Sequence, residues 1–349
     1  MNYPNGPMPP YGGGYGWEPP RRYYTPPPRN PWRKPVRRNA NIACFGLIIL
    51  LALGLFLSAS FSFIADFFIE SLNIQSPETV SLIRISFDLA TYILMFIMPI
   101  SIMRLWIGIP SKIAFPMRNP RASIAFPAVL ICIGASILGA LSYGVIQAFM
   151  SSFFNIEPIV PTLPEPAGIP ATALYIIWLT LIPAILEELM FRGVIMQSLR
   201  RFGDGFALVC SSILFSLAHH NLVQGPNAFL LGLVIGFFTL RTGSLKTAML
   251  MHFVNNLLAV TAELLSRGMV SRQQEMLGFG MFALYVVAGI AGIVIIVLKH
   301  GGIFHLAPPA YPLRGGKKYA AFFCGFVPIL YIICIALITS LQFQRANWY

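Results

Sequence analysis

The chain has 349 residues, of which 56% are hydrophobic and only 10% charged, with a net charge of +12. Soluble domains carry roughly 25% charged residues, so this composition excludes a soluble globular fold and predicts a polytopic membrane protein. The apolar runs are continuous rather than alternating, which excludes the strands of an outer-membrane barrel and predicts an all-α architecture.

Residues 1–38 are rich in Pro, Gly, Tyr and Arg. They bury too little apolar surface to offset the entropy of ordering and are expected to be a disordered tail. The tail holds Arg21, Arg22, Arg29, Arg33, Lys34, Arg37 and Arg38 against Glu18 alone, half of the net charge. Beside a membrane span, such a cluster predicts attraction to anionic lipid on the cytoplasmic side rather than a nucleic-acid partner. The tail is too long and too Pro-rich for the n-region of a cleaved signal peptide, so the first span is expected to be retained.

Nine apolar runs follow, near 41–66, 80–103, 123–148, 171–199, 206–220, 227–241, 247–265, 278–298 and 319–341. They predict about eight to nine transmembrane helices. A crossing takes about 20 residues, so the short runs 206–220 and 227–241 are the doubtful crossings. Three units follow the tail: N-terminal spans over 39–165, a core over 166–265 and C-terminal spans over 266–349. The connection 104–122 carries Arg104, Lys112, Arg118 and Arg121, and Arg200, Arg201, Lys299, Arg314, Lys317 and Lys318 fall on the same side. The connections 67–79 and 149–170 carry no Lys or Arg. The asymmetry predicts a cytoplasmic N-terminus in a multi-pass protein of a bacterial-type cell membrane. Arg267 and Arg272, in 266–277, are the exception. The five cysteines lie in apolar runs without a CxxC, so neither a disulfide framework nor a cysteine metal site is indicated.

The fourth run contains LEELMFRG, residues 186–193. An ionised side chain at mid-helix costs about 2.5–3.5 kcal/mol on insertion scales, so these charges must be paired or functional. Glu188 and Arg192 are four residues apart on one face and can pair. Glu187 points about 100° away and is left over. Pro183 removes a backbone donor one turn earlier and bends the helix there. Further polar islands are FSLAHH, with His219, and HFVNN, with His252 and Asn256 four residues apart. Phe215 is expected to pack, His220 and Asn221 to cap or wet the end of the fifth helix, and Arg84 and Asp88 to form a local ion pair. Depth poses a problem. Glu187 lies about 20 Å of helix rise from Arg200, and His219 about 22 Å from Asp204, but His252 only about 9 Å from Lys246.

In order, EELMFR, FSLAH and HFVNN fit E-E-x-x-x-R, F-x-x-x-H and H-x-x-x-N. The stretch of about 170–262 resembles the CPBP (Abi) family of intramembrane proteases, which includes type II CAAX prenyl endopeptidases and bacteriocin-processing or immunity homologues. The resemblance implies that Glu187 acts as general base on a water shared with His219. It implies that His252 and Asn256 stabilise the oxyanion and that Glu188 and Arg192 orient the site. The expected partners are membrane lipid and a peptide or protein substrate, including lipid-modified ones. HExxH is absent. The cofactor stays open: metal-free attack, or a zinc ion held by Glu187, His219 and His252. The rival readings are a non-catalytic homologue acting in bacteriocin immunity or scaffolding, and a transporter using the acids as a proton relay.

Overall fold

The structure, a computed structural model, describes residues 32–158, 164–304, 306, 316–341 and 343–345. The expected disorder of residues 1–31 lies outside these. Each of the nine apolar runs forms helix: α1 (Arg33–Ser71), α2 (Pro77–Ile107), α3 (Ala122–Phe154), α4 (Gly168–Phe202), α5 (Asp204–Ala218), α6 (Gly225–Thr242), α7 (Leu245–Ser266), α8 (Ser271–His300), and a final run split into α9 (Gly316–Phe323) and α10 (Phe326–Ser340). Seven of them are long and apolar enough to cross a membrane, or eight if the α9–α10 pair, bent by 70°, is one span. The count falls short of nine because α5 has only 15 residues, about 22 Å of rise against about 30 Å of hydrocarbon. The described fold is all-α apart from a three-residue ribbon in which Ile156–Pro158 pairs antiparallel with Phe343–Arg345. Large apolar side chains such as Phe56, Phe63, Val287 and Leu298 are exposed on its outer faces, as lipid-facing helices require.

The ends follow local chemistry. Ser76 caps α2 by accepting from the Thr79 N–H, with Pro77 in its first turn. Gly108, at φ 78°, closes α2 in the left-handed region. Helix α1 starts earlier than its apolar run, at Arg33. The guanidinium of Arg38 donates to the carbonyls of Ile107 (3.5 Å) and Trp106 at the end of α2, so the basic residues cap a neighbouring helix. Arg84 pairs with Asp66 of α1 at 2.8 Å rather than with Asp88. The pair ties α1 to α2. Cys44, Cys132 and Cys210 are buried, whereas Cys324 is exposed at the α9–α10 break and Cys334 is half-buried.

The connections sort to the two ends of the bundle. At one end, Ser81 donates to the Glu165 carbonyl and accepts from the Ala167 N–H, both at 3.1 Å. There Glu263 holds Arg267 at 2.6 Å and the Tyr175 hydroxyl at 2.9 Å, so the charge of Arg267 is locally paired. At the other end, Lys246 donates to Asn119 at 2.6 Å and the Leu245 N–H to the Pro116 carbonyl at 2.8 Å. Arg200 pairs with Asp204 at 2.9 Å, and Lys318 donates to the Phe202 carbonyl at 3.2 Å.

This second end resolves the depth problem. The 109–121 connection does not stop at the level of Arg200. It folds inward until Ala114 meets α4 at Gly193, where a Cβ would come within 3.0 Å of the Ala114 carbonyl. Glu188 is about 8 Å of rise from Gly193, close to the 9 Å or so that separates His252 from Lys246. The loop that clasps Lys246 thus carries the start of α7 toward the depth of Gly193, which brings His252 level with the glutamates.

Candidate active site

Helix α4 supplies the acids and departs from α geometry on both sides of them. Ile177–Leu181 and Leu189–Ile195 are π-helical, flanking Ile182–Glu188. Such turns are rare and cluster at functional sites. They disturb the i to i−4 ladder, and in an apolar setting each carbonyl still needs a donor. Side chains supply them. Pro183 has no N–H for the Leu179 carbonyl four residues back, and Asn256 of α7 donates to that carbonyl at 3.3 Å. Ser211 of α5 donates to the Phe191 carbonyl at 2.7 Å, and Gln197 to that of Arg192 at 3.0 Å. The irregular backbone is therefore anchored to α5 and α7.

The charged groups form one buried network. Oε1 of Glu188, whose side chain is 0% exposed, accepts from Arg192 Nη1 at 2.7 Å and from His252 Nδ1 at 2.8 Å. Arg192 also reaches the Gly232 carbonyl at 3.4 Å, and its guanidinium lies 4.2 Å over the Phe215 ring. A Cβ at position 232 would fall 3.0 Å from the Ser212 Cβ, so glycine lets α6 come this close. With Nδ1 committed, His252 turns Nε2 toward Glu187, 3.8 Å from Oε2. The other oxygen of Glu187 accepts from the Tyr92 hydroxyl of α2. Oε2 of Glu187 and Oε2 of Glu188 are buried without a hydrogen-bond partner.

Phe215 links the remaining histidine to this network. Its ring meets His219 edge-on at 4.8 Å and His252 at 6.0 Å. The expected packing role holds, and the packing is done inside the site. His219 caps the end of α5, with Nδ1 2.8 Å from the Phe215 carbonyl. A carbonyl only accepts, so Nδ1 carries the proton, and in the neutral ring Nε2 is an acceptor. Asn221 closes the turn that precedes α6, accepting from the N–H groups of Val223 and Gln224 at 2.9 and 3.1 Å.

The structure joins Glu187, Glu188, Arg192 and His252 directly. It brings His219 to them through Phe215 and Asn256 through the α4 backbone. Sequence reasoning missed Tyr92, Ser211 and Gln197. Tyrosine is unremarkable in an apolar helix, and the other two answer a backbone irregularity that no motif announces. Tyr92 alone left a trace, a polar line of Arg84, Asp88 and Tyr92 at four-residue spacing. A zinc site does not fit the described residues: no three His, Cys, Asp or Glu side chains converge as ligands. No step below is routed through a metal.

Comparison with curated proteins and with solved structures gave no match. Residues 169–258 match the family model described as type II CAAX prenyl endopeptidase Rce1-like. That segment contains every side chain of the site except Tyr92. Over residues 169–258, therefore, the chain is similar to type II CAAX prenyl endopeptidases of Rce1-like type.

Proposed function

We propose that the protein is a membrane-embedded endopeptidase that hydrolyses a peptide bond with a water activated by Glu187 and His219. The carrying observation is the buried network in which Glu188 takes Nδ1 of His252 and leaves Nε2 toward the uncommitted oxygen of Glu187. Catalysis by a positioned base needs an acceptor within reach of the water and donors aimed at the oxygen that becomes negative. Glu187 takes a proton as the water oxygen attacks the scissile carbonyl carbon. His252, when both its ring nitrogens carry protons, and the second N–H of the Asn256 amide serve the oxyanion. The C–N bond then breaks, the departing nitrogen receives a proton from the Glu187–His219 pair, and a carboxylate and an amine leave. Glu188 and Arg192 neutralise one another and hold His252 in place.

The family description supports a prenylated peptide ending in Cys-aliphatic-aliphatic-X as the first substrate to test. The Lys- and Arg-rich end of the bundle is read as cytoplasmic from the charge asymmetry. The test uses the purified full chain in lipid nanodiscs with an internally quenched farnesylated peptide and with its unprenylated counterpart. Mass spectrometry of the fragments identifies the cleaved bond. Release of the terminal tripeptide by the wild type, absent in His219→Ala, is expected. Binding of the farnesylated peptide without cleavage overturns the reading.

A further inference from the structure

Tyr92 lies on α2, outside residues 169–258, and nothing in the three motifs requires it. Its ring stacks on Phe96 one turn away, with centroids 5.0 Å apart and planes at 28°. Its hydroxyl donates to Oε1 of Glu187. An ionised carboxylate only accepts, and free rotation about its last bond would exchange the two oxygens. The phenol removes that exchange. With Oε1 engaged from α2, the unpartnered Oε2 is held on the side of His252 Nε2, 3.8 Å away. The titratable and charged groups around Glu187 are thus Tyr92 from α2, His252 from α7, and Glu188 with Arg192 from α4 itself.

We propose that Tyr92 is a positioning residue for the base: it fixes Oε1 of Glu187 so that Oε2 is the atom that accepts the proton of the attacking water. The inference rests on the peptidase reading, and it extends the catalytic machinery to a helix the family match does not cover. A tyrosine that merely filled space would lose nothing essential on becoming phenylalanine, which keeps the ring and its stack on Phe96.

The experiment is Tyr92→Phe in the full chain in nanodiscs, read in two ways. Turnover of the quenched farnesylated peptide should show kcat reduced about 10- to 100-fold, the range for losing a hydrogen bond to a charged group, with KM unchanged. Independently of turnover, the infrared carboxylate stretch of Glu187, isolated by subtracting the Glu187→Gln spectrum, should move in Tyr92→Phe because its hydrogen bond is gone. An active wild type in which Tyr92→Phe leaves the band in place, or leaves kcat unchanged, overturns the Tyr92 inference alone. A wild type that cleaves no probe while the band moves overturns the peptidase reading and, with it, the role of Tyr92 in catalysis.

Discussion

His252 Nδ1 and Glu188 Oε1 lie 2.8 Å apart, and this contact makes the two adjacent glutamates different in kind. Glu188 is spent on Arg192 and on the histidine. Glu187 touches the same histidine only across 3.8 Å, and its other oxygen accepts from Tyr92. On the proposed mechanism, two acids side by side in an apolar helix are thereby divided into a strut and a base.

The strut carries a stability cost when cut. Glu188→Gln leaves Arg192, 1% exposed, as a buried cation without its counter-charge. Removing one partner of such a pair typically costs about 3–5 kcal/mol, so thermal melting in detergent should fall and yield with it. Replacing both residues, Glu188→Met with Arg192→Met, should recover much of the melting temperature, since a packed apolar pair of similar volume serves as well. It should not recover turnover, because His252 has lost its partner. Full activity in the double variant would contradict the assignment.

Pro183 and Asn256 should be energetically coupled through the Leu179 carbonyl. Pro183→Ala returns a backbone N–H that can satisfy that carbonyl, so Asn256→Ala should destabilise the Pro183→Ala protein less than the wild type. A double-mutant cycle should give an interaction of about 0.5–1.5 kcal/mol, the net worth of one hydrogen bond. Additive effects would mean that the amide does not answer the proline.

The sidedness can be read with impermeant thiol reagents. In a cysteine-free background, a cysteine at Ser152 should label in intact cells, and one at Asn119 should label only after lysis. Both positions are exposed, so protection reflects the membrane. The reverse pattern would invert the orientation drawn from the charge asymmetry.

Chelation bears on the chemistry. With no convergent set of metal ligands among the described residues, prolonged chelator treatment should leave the cleavage rate unchanged, and added Zn²⁺ should not raise it. Loss of activity with chelator and its return with zinc would require the histidines to rearrange.

Much of this was legible in the sequence because membrane insertion makes charge expensive. The apolar runs marked all nine helical segments, and four of the residues that violate them, Glu187, Glu188, Arg192 and His252, are joined directly in the structure. What stayed hidden are features that carry no such cost signal. The two π-helical segments depend on tertiary donors such as Ser211 and Asn256, and a one-dimensional pattern does not hold them. The 109–121 connection reads as an ordinary basic loop, yet its contact with Gly193 sets the depth of His252. The break at Cys324 and Gly325 interrupts an apolar run without interrupting its hydropathy. Arg84 had two acids in reach, and spacing along one helix favoured Asp88 over Asp66 on the next.

The central claim is that Glu187 is the base. Glu187→Gln preserves size and can still accept from Tyr92, so the protein should insert, melt and bind the farnesylated peptide as the wild type does. Under single-turnover conditions, with enzyme in excess over the quenched peptide, its cleavage rate should fall by at least about 100-fold, the lower end of what general-base catalysis contributes. Cleavage by Glu187→Gln at the wild-type rate would contradict the account.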